Sequence, residues 1–265
     1  MSTEIRIDAL MPAEMAKRAE YVGVRKAETA ALTLLALAIL AGAFIAMGAI
    51  FSTTVVSGGI SIKDAAGEAA YSTGWPYGVN RLLAGIVFSL GLILVVVGGA
   101  ELFTGNNLIV MAWANGKITT SSLFRNWVIV YLGNFIGSVG TALLVFFSKQ
   151  YLNGGGAVGA TALSIAKSKV ELGFVQALVL GILCNALVCM AVWMTFSARS
   201  TLDKIAAIIF PITGFVAAGF EHSIANMYFV PIAIFIKNYA SSDFWKLIGK
   251  TPADYATVTW ENFFC

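Results

Sequence analysis

Uncharged apolar runs of about twenty residues, separated by short polar stretches, dominate the hydrophobic pattern of this chain. They cover residues 29–51, 82–100, 126–148, 172–198 and 205–220. Because an α-helix rises 1.5 Å per residue, roughly 20 apolar residues cross the ~30 Å hydrocarbon core of a bilayer. The pattern therefore predicts an all-α membrane protein with five recognisable spans.

The second and fifth runs continue well beyond the thickness of a bilayer. Residues 82–116 carry Glu101 as their only charge, and residues 205–236 carry Glu221 as their only acid, followed by His222. A straight helix of 35 residues would be ~52 Å long. Glycine and asparagine, which are poor helix formers, flank Glu101. We expect each of these spans to break near its glutamate and then to resume.

The two predicted breaks repeat each other. Residues 99–106 (GAELFTGN) align with residues 219–226 (GFEHSIAN) at an offset of 120, with Gly, Glu and Asn in register. An odd number of crossings separates the two spans, so they run in opposite directions, and matching broken helices mark the binding site in many transporter and channel folds. The predicted fold is an inverted repeat of three-helix halves with broken helices in spans two and five.

Two halves of three spans require six spans, whereas the given sequence shows five. Residues 237–265 are polar and aromatic and contain no further apolar run of spanning length, so we expect a sixth span to be missing from the given sequence. The aromatic residues of this stretch suggest a belt at the membrane interface: Tyr239, Trp245, Trp260, Phe263 and Phe264.

The first 28 residues differ from the rest because they carry charges of both signs. One stripe of an amphipathic helix can be formed by four apolar residues, Met11, Met15, Ala19 and Val22. We expect this helix to lie along the membrane surface, with a solvated tail as the alternative. The basic residues in loops on the side of the N-terminus occupy fewer loop residues than those on the other side, which favours a cytoplasmic N-terminus. We divide the chain into an N-terminal segment, 1–28, and a transmembrane domain, 29–265.

Composition supports a membrane protein and excludes several other classes. Of the 265 residues, 58% are hydrophobic and 12% are charged, and the mean hydropathy is +0.83, whereas soluble domains carry roughly 25% charged residues. This excludes an ordinary soluble enzyme, a disordered protein and a nucleic-acid binder. No phosphate-binding glycine loop is present, and Cys184, Cys189 and Cys265 follow no metal-ligand or disulfide spacing. We therefore expect neither a cofactor nor a metal, and a transport protein rather than an enzyme.

His222 is the only histidine and falls near the middle of the fifth span. An ionisable side chain at that depth is costly, so we favour a functional role over a hydrogen-bonded core histidine. Its register partner in the other repeat is Leu102, and Thr104 lies two residues further on. If the two breaks meet at the midplane, Thr104 can hydrogen-bond the imidazole.

Two roles fit Glu101 and Glu221. We favour a scaffold role, in which the repeated glutamates, together with Asn106 and Asn226, satisfy backbone N–H groups freed at the breaks. An unsatisfied backbone group in the membrane would cost several kcal/mol. The alternative is that the glutamates bind protons or ions.

Other side chains near the breaks also have two interpretations. Asn185 is a polar residue within the fourth span and either lines a pathway or bridges helices. Large apolar residues near the histidine either form constrictions that gate by dewetting or simply pack against neighbours: Phe88, Leu92, Leu102, Phe103 and Phe215.

Four segments resemble signature sequences of the formate/nitrite transporter family. They are residues 100–106 (AELFTGN), 133–137 (GNFIG), 184–194 (CNALVCMAVWM) and 219–227 (GFEHSIANM). The similarity runs from about residue 10 to the C-terminus, and the last of these segments is the most specific.

This resemblance implies a homopentamer of aquaporin-like protomers in a bacterial or archaeal cytoplasmic membrane, each with its own pore for small monovalent anions. It implies that His222 is the central pore histidine, Thr104 the threonine of the broken second span, and Asn185 the pore asparagine. Lys169 corresponds to the lysine that draws anions into the vestibule. The five large apolar residues named above correspond to those that narrow the pore on either side of the histidine.

The resemblance favours formate as the anion, through residues 10–16 and 194–200, with nitrite and hydrosulfide as alternatives. It leaves passive and proton-coupled passage open. Two alternatives come from other classes, an intramembrane redox subunit that uses His222 and a non-conducting regulatory or assembly subunit. A single histidine argues against a haem site, which commonly needs two strong ligands.

Overall fold

A computed structural model describes residues 9–58, 60–63 and 69–264, and nearly all regular structure in this part of the chain is helical. The helices, in chain order, are α1 (Pro12–Glu28), α2 (Ala31–Val55), α3 (Tyr77–Gly98), α4 (Phe103–Asn106), α5 (Val110–Ala114), α6 (Thr120–Phe147), α7 (Ala157–Val170), α8 (Phe174–Thr195), α9 (Thr201–Ala218), α10 (Ser223–Tyr239), α11 (Ser242–Ile248) and α12 (Trp260–Phe264). Short 3₁₀ turns cover Asn107–Ile109, Gln150–Leu152 and Pro252–Tyr255, and strands β1 (Ile60–Lys63) and β2 (Ala69–Thr73) form an antiparallel hairpin.

Helices α2, α3, α6, α8 and α9 are long and apolar enough to cross a membrane. They match the five predicted runs, which confirms the all-helical membrane fold. The ends differ by several residues, since α3 begins at Tyr77 rather than at residue 82. The predicted run begins after Arg81 because that residue is charged. In the structure the Arg81 guanidinium donates a hydrogen bond to the Val216 carbonyl inside the protein, so the helix includes the charged residue. The sequence did not predict the hairpin or α7, half of whose apolar residues are alanine.

The predicted N-terminal helix is present as α1. Met15 and Ala19 are buried, whereas Met11 is exposed. A Cβ on Gly23 would lie 3.0 Å from the Ala112 Cβ in α5, so this stripe packs against protein and not along a lipid surface. The first eight residues of the predicted 1–28 segment lie outside the described residues.

Both predicted helix breaks are confirmed. Gly99 is the C-cap of α3 with φ 73°, and Gly219 is the C-cap of α9 with φ 78°. Glycine is favoured at both sites because a Cβ makes the left-handed region unfavourable. The chain then passes through extended residues, and Leu102 and His222 become the N-caps of α4 and α10 with φ −105° and −107°.

The inverted repeat is also visible in the packing. Helices α3 and α9 pack antiparallel, with Gly85 against Thr213 and the Ser89 hydroxyl 3.4 Å from the Ile209 carbonyl oxygen. Ser89 and Ile209 differ by 120 positions, the offset of the sequence repeat, so the pseudo-twofold axis passes between them.

The same backbone hydrogen bond forms at both breaks, where each glutamate N–H donates to a carbonyl of the preceding span. Glu101 N–H donates to Leu37 O at 3.2 Å in α2, and Glu221 N–H donates to Leu180 O at 3.4 Å in α8. Helices α2 and α8 are therefore equivalent spans of the two halves.

Close helix contact in the first half depends on glycines. A Cβ on Gly42 would lie 2.2 Å from Asn134 O, and one on Gly137 would lie 2.0 Å from Ile39 O. The backbones of α2 and α6 therefore touch, and a larger residue would force them apart. This packing fixes Asn134 next to the first break.

After α10 the described chain continues through α11 and α12, neither of which is long enough to span a bilayer. The predicted aromatic belt is wrong at Trp245. Tyr239 and Phe264 are exposed, but Trp245 is 8% exposed and packs edge-on against Phe244, with ring centroids 5.2 Å apart. Trp245 was misread because an aromatic residue in a polar stretch fits an interfacial belt and a small local core equally well.

Candidate functional site

The first break is held by a lysine from the N-terminal helix. Lys26 Nζ donates to Glu101 Oε2 at 2.8 Å and to Asn106 Oδ1 at 2.9 Å. Asn106 Nδ2 in turn donates to Glu101 Oε2 at 2.7 Å and to Asn126 Oδ1 at 2.9 Å. Glu101 is only 7% exposed, so these donors replace the water that its carboxylate would otherwise bind.

The second break repeats this arrangement with a different lysine. Lys169 Nζ lies 2.8 Å from Glu221 Oε2 and 3.0 Å from Oε1, and Asn226 Nδ2 donates to Oε2 at 2.9 Å. Lys169 belongs to α7, as Lys26 belongs to α1. Helices α1 and α7 are therefore equivalent elements at the two ends of the bundle.

The partners of the two glutamates differ from those expected from the sequence. Their carboxylates accept hydrogen bonds from lysine and asparagine side chains rather than from backbone N–H groups. The freed backbone groups have other acceptors, since Phe103 N–H donates to Asn134 Oδ1 at 2.9 Å. Asn134 also donates to Ala38 O at 2.8 Å and to Glu101 O at 2.9 Å, so this one amide satisfies three backbone groups.

His222 caps α10 and reaches across to the other break. Its Nδ1 accepts a hydrogen bond from Ala225 N–H at 3.0 Å, and its Nε2 lies 3.1 Å from Thr104 Oγ1. Because Nδ1 acts as an acceptor, a neutral imidazole here carries its proton on Nε2 and donates to Thr104. The histidine is 4% exposed, and the contact with Thr104 expected from the sequence is present.

Phe88 and Phe215 pack against one side of the imidazole. The Phe215 ring stacks on His222 with centroids 5.7 Å apart and an interplanar angle of 19°. Phe88 contacts both rings edge-on, at 5.8 Å from Phe215 and 6.4 Å from His222. Both phenylalanines are buried, so one side of the histidine faces an aromatic wall.

Three cavities lie around the two breaks. A central cavity of about 510 Å³ brings together seven of the site residues predicted from the sequence: Phe103, Thr104, Lys169, Asn185, Glu221, His222 and Asn226. An outer chamber of about 310 Å³ lies on the side of α7, and an inner chamber of about 410 Å³ lies on the side of α1. His222 and Lys169 line both the central cavity and the outer chamber.

The inner and outer chambers are lined by residues that the repeat makes equivalent. These pairs differ by 120 positions, or by 143 for the first two: Val22 and Ile165, Lys26 and Lys169, Val95 and Phe215, Val96 and Val216, Ala100 and Phe220, Leu102 and His222, Gly105 and Ala225, and Asn106 and Asn226. At several of these positions the inner chamber has an aliphatic or small residue where the outer chamber has an aromatic or titratable one. The two chambers are therefore related in position but differ in chemistry.

The other residues predicted to lie near the histidine do not all line the same cavity. Leu92 and Leu102 line the inner chamber and are buried. Phe103 lines neither chamber but the central cavity, and its ring packs edge-on against Tyr131, with centroids 5.0 Å apart. Asn185 Oδ1 is buried without a hydrogen-bond partner among the described residues, while its Nδ2 lies 3.6 Å from Cys189 Sγ.

Sequence reasoning missed three residues that build the site. Lys26 looked like part of a separate charged segment, and Arg81 looked like the polar end of a span. Asn134 lay within a quoted motif but was given no role. The sequence signal for Asn134 was its position as an amide in the middle of an apolar run.

Comparison with known proteins places this architecture in one family. A family model described as "Formate/nitrite transporter" matches residues 13–265. The chain is 44% identical over 264 residues to "Formate channel FocA" of Escherichia coli (strain K12), covering 99% of this chain and 88% of that protein. It is 40% identical to the protein of the same name in Haemophilus influenzae, covering 96% of this chain and 85% of that protein.

A solved structure supports the same assignment. The structure described as "Pentameric formate channel with formate bound" superposes with a TM-score of 0.80 at 45% identity and covers 88% of this chain and 87% of that chain. With five apolar helices of spanning length in its described part, the chain is an integral membrane protein. It belongs to the formate/nitrite transporter family, as the segment around His222 indicated.

Proposed function

We propose that this chain forms a channel for small monovalent anions and that formate is its principal substrate. The observation that carries this proposal is the position of His222, which lines the central cavity and the outer chamber while its repeat partner Leu102 lines the inner chamber. One path through the protomer then leads from the outer chamber past the histidine to the inner chamber. The relatives named as formate channels support formate over the other anions.

The physical task of such a path is to carry an anion through apolar surroundings. An anion that leaves water for a narrow apolar passage loses much of its hydration free energy. Phe88 and Phe215 narrow the path on the outer side, and Leu92 and Leu102 narrow it on the inner side. Hydrogen-bond donors between these constrictions replace part of the lost hydration.

Two donors are available at the middle of the path. The Nε2 proton of His222 and the hydroxyl of Thr104 are 3.1 Å apart at their heavy atoms, so an arriving carboxylate can take the hydrogen bond that now joins them. Two modes of passage fit this geometry. In the first the anion passes with these hydrogen bonds only. In the second, Nδ1 takes up a proton and gives up its hydrogen bond from Ala225 N–H, the imidazolium transfers its Nε2 proton to the anion, and the neutral acid crosses the constriction.

The other residues of the site have supporting roles in this proposal. Asn185 presents a buried amide without a partner for its oxygen to the central cavity. Rotation of this amide by 180° would instead present two N–H donors to an anion. Phe103 closes the central cavity beside the first break. Lys169 lines both the outer chamber and the central cavity, where its ammonium group is a local donor.

A scaffold role for the repeated Glu–Asn pairs completes the assignment. Glu101 with Asn106, and Glu221 with Asn226, each join a lysine to the helix that resumes after a break. Both carboxylates and both asparagine Nδ2 groups are hydrogen-bonded close to the helix breaks, whereas Asn226 Oδ1 has no partner among the described residues. We assign them the task of fixing the breaks and not of binding substrate.

We further propose a homopentamer in the cytoplasmic membrane with the N-terminus on the cytoplasmic side. The pentameric assembly of the similar solved channel supports this arrangement. Ala38, Ala41 and Gly42 of α2 are buried within the protomer, so they are not available for a contact between subunits. A contact through the exposed apolar surfaces of other helices remains available.

Flux into liposomes tests the proposal. Purified full-length protein is reconstituted, and uptake of labelled formate is measured alone and in competition with nitrite, acetate and hydrosulfide. We expect saturable formate flux that formate itself competes best, and a mass of five protomers by light scattering. Absence of any anion flux would support a non-conducting subunit, and stronger competition by nitrite or hydrosulfide would reassign the substrate.

A further inference from the structure

The outer chamber contains two basic side chains, Arg81 and Lys169. Their electrostatic environments differ. Lys169 Nζ is held between both carboxylate oxygens of Glu221, at 2.8 and 3.0 Å, and both side chains are only about one-seventh exposed, at 15% and 14%. At the distance of an approaching anion the two opposite charges largely cancel.

Arg81 has no such partner. Its Nη2 donates to the Val216 carbonyl oxygen near the end of α9, and within the described part of the chain no carboxylate contacts its guanidinium. The Nε atom is buried and has no hydrogen-bond acceptor among the described residues. The guanidinium therefore has a full charge and donors to spare.

We propose that Arg81, rather than Lys169, is the group that attracts and first binds small carboxylates in the outer chamber. The inference rests on the proposed channel function and adds a residue to it. The same chamber runs from Arg81 to the Phe88 and Phe215 wall beside His222. Low-dielectric walls of this kind focus the field of a charge along a cleft. A guanidinium also matches the two oxygens of a carboxylate better than an ammonium group does.

A structural role is the competing explanation for Arg81. Val216 O accepts from Gly219 N–H at 3.1 Å, and the Arg81 guanidinium is a second donor to this carbonyl in the last turn of α9. A cation at a helix C-terminus is stabilising. Loss of this cap would lower stability and flux alike, and by the same factor at every salt concentration. Long-range attraction is screened by salt over about 10 Å at 0.1 M, so the salt dependence of flux separates the two roles.

The experiment compares four variants with the wild-type channel in liposomes oriented so that the α7 side faces the added formate. Arg81→Gln removes the charge, and Arg81→Lys keeps it. Asn80→Asp places a carboxylate in the same chamber next to Arg81. It removes no group of the Arg81–Val216 contact, although the 3.5 Å hydrogen bond from Asn80 Nδ2 to Trp75 O is lost. Lys149→Gln is the matched control, because Lys149 is an exposed cation outside the chamber.

Formate influx at subsaturating concentration is measured at about 10 mM and about 500 mM salt, where the screening lengths are about 30 Å and a few ångströms. We expect Arg81→Gln and Asn80→Asp to lower influx by about three- to tenfold at low salt, with the loss shrinking to less than about twofold at high salt. Arg81→Lys retains most of the wild-type influx at low salt, and Lys149→Gln changes little at either concentration.

Two results would overturn the inference. One is a loss in Arg81→Gln that is the same at both salt concentrations, together with Asn80→Asp influx equal to wild type. The other is a Lys149→Gln effect as large as that of Arg81→Gln, which would mean that the general surface charge is responsible. If Arg81→Gln does not assemble, Asn80→Asp alone decides, because it removes no hydrogen bond of the cap. Absence of formate flux in the wild-type protein would instead refute the proposed channel function.

Discussion

Thr104 Oγ1 lies 3.1 Å from His222 Nε2, although the two residues are 118 positions apart and belong to opposite halves of an inverted repeat. This contact joins the two helix breaks at the centre of the protomer. Because Ala225 N–H occupies the other ring nitrogen, the imidazole cannot turn without losing a hydrogen bond. The side chain proposed to meet the anion is therefore held in one orientation by one group from each half.

Thr104→Val should impair the pathway more than Thr104→Ser. Valine keeps the shape of threonine but leaves the buried Nε2–H of His222 without its partner, which costs about 1–3 kcal/mol. We expect formate flux to fall roughly tenfold in Thr104→Val, because 1.4 kcal/mol corresponds to a factor of ten. Flux in liposomes measures this, with Thr104→Ser as the control that keeps the hydroxyl. Equal flux in the two variants would show that the hydroxyl is not needed.

Lys169→Gln should destabilise the protein through the carboxylate that it leaves unpaired. Removing one partner of a buried ion pair can cost about 3–5 kcal/mol, and the partial exposure of this pair reduces that figure. The double variant Lys169→Gln/Glu221→Gln should recover much of the loss, because neither buried charge remains. Thermal unfolding in detergent measures both. A double variant no more stable than the single one would contradict a structural pairing of these two side chains.

The sequence predicted the breaks and the Thr104–His222 contact because their signals are local and repeated. Glycine, glutamate and asparagine recur at one offset, and a lone histidine in an apolar span is conspicuous. The Lys26–Glu101 and Lys169–Glu221 pairs were not predicted. The two partners are 75 positions apart in the first pair and 52 in the second. The two lysines are therefore separated by a different offset than the two glutamates, and an alignment at one offset does not match both residue types.

Other features could not be read from the sequence for physical reasons. Arg81 was taken as the end of a span because a charge in an apolar run is normally placed in water, whereas here a carbonyl of another helix accepts its hydrogen bond. Phe103 stays a predicted constriction residue because it lines the central cavity, but its ring contact with Tyr131 could not be read from the sequence. Both outcomes depend on tertiary contacts that no local pattern contains.

Gly137→Ala should disrupt the packing of α2 against α6. The added Cβ would lie 2.0 Å from Ile39 O, a backbone atom that cannot move aside alone. Overpacking of this kind typically costs about 1–3 kcal/mol. Gly140→Ala is the matched control on the same helix, since a Cβ there meets nothing within 4 Å, and alanine favours a helix over glycine. The unfolding temperature should fall in the first variant and stay or rise in the second; equal temperatures would contradict the close contact.

Docking of α1 should persist when the pH falls from 7 to 5.5. Hydrogen bonds from Lys117 and Asn115 hold the pKa of Glu20 below its ordinary value of 4.5. A lowered carboxyl pKa stabilises the docked form above pH 4.5 and loses this effect only as the pH falls through the lower value. Hydrogen exchange of the α1 amides, corrected for intrinsic rates, should be unchanged over this range.

Removal of the Glu20 charge tests the same contact directly. Glu20→Gln should speed exchange in α1, because the ion pair with Lys117 is lost. Glu28→Gln is the control, since it removes a charge from the same helix that has no ion pair among the described residues. Faster exchange in wild type at pH 5.5, or equal exchange in the two variants, would show that Glu20 does not hold α1 in place.

The pH dependence of formate flux in His222→Asn tests the central claim most directly. Histidine is the side chain whose charge normally changes between pH 5 and 8, and asparagine keeps a polar group beside Thr104 without titrating there. Flux is measured in liposomes from about pH 5 to 7.5, after light scattering has shown that the variant assembles like the wild type. We predict that the variant loses the pH profile of the wild-type channel. Wild-type flux with an unchanged pH profile in His222→Asn would contradict the claim that the imidazole controls passage.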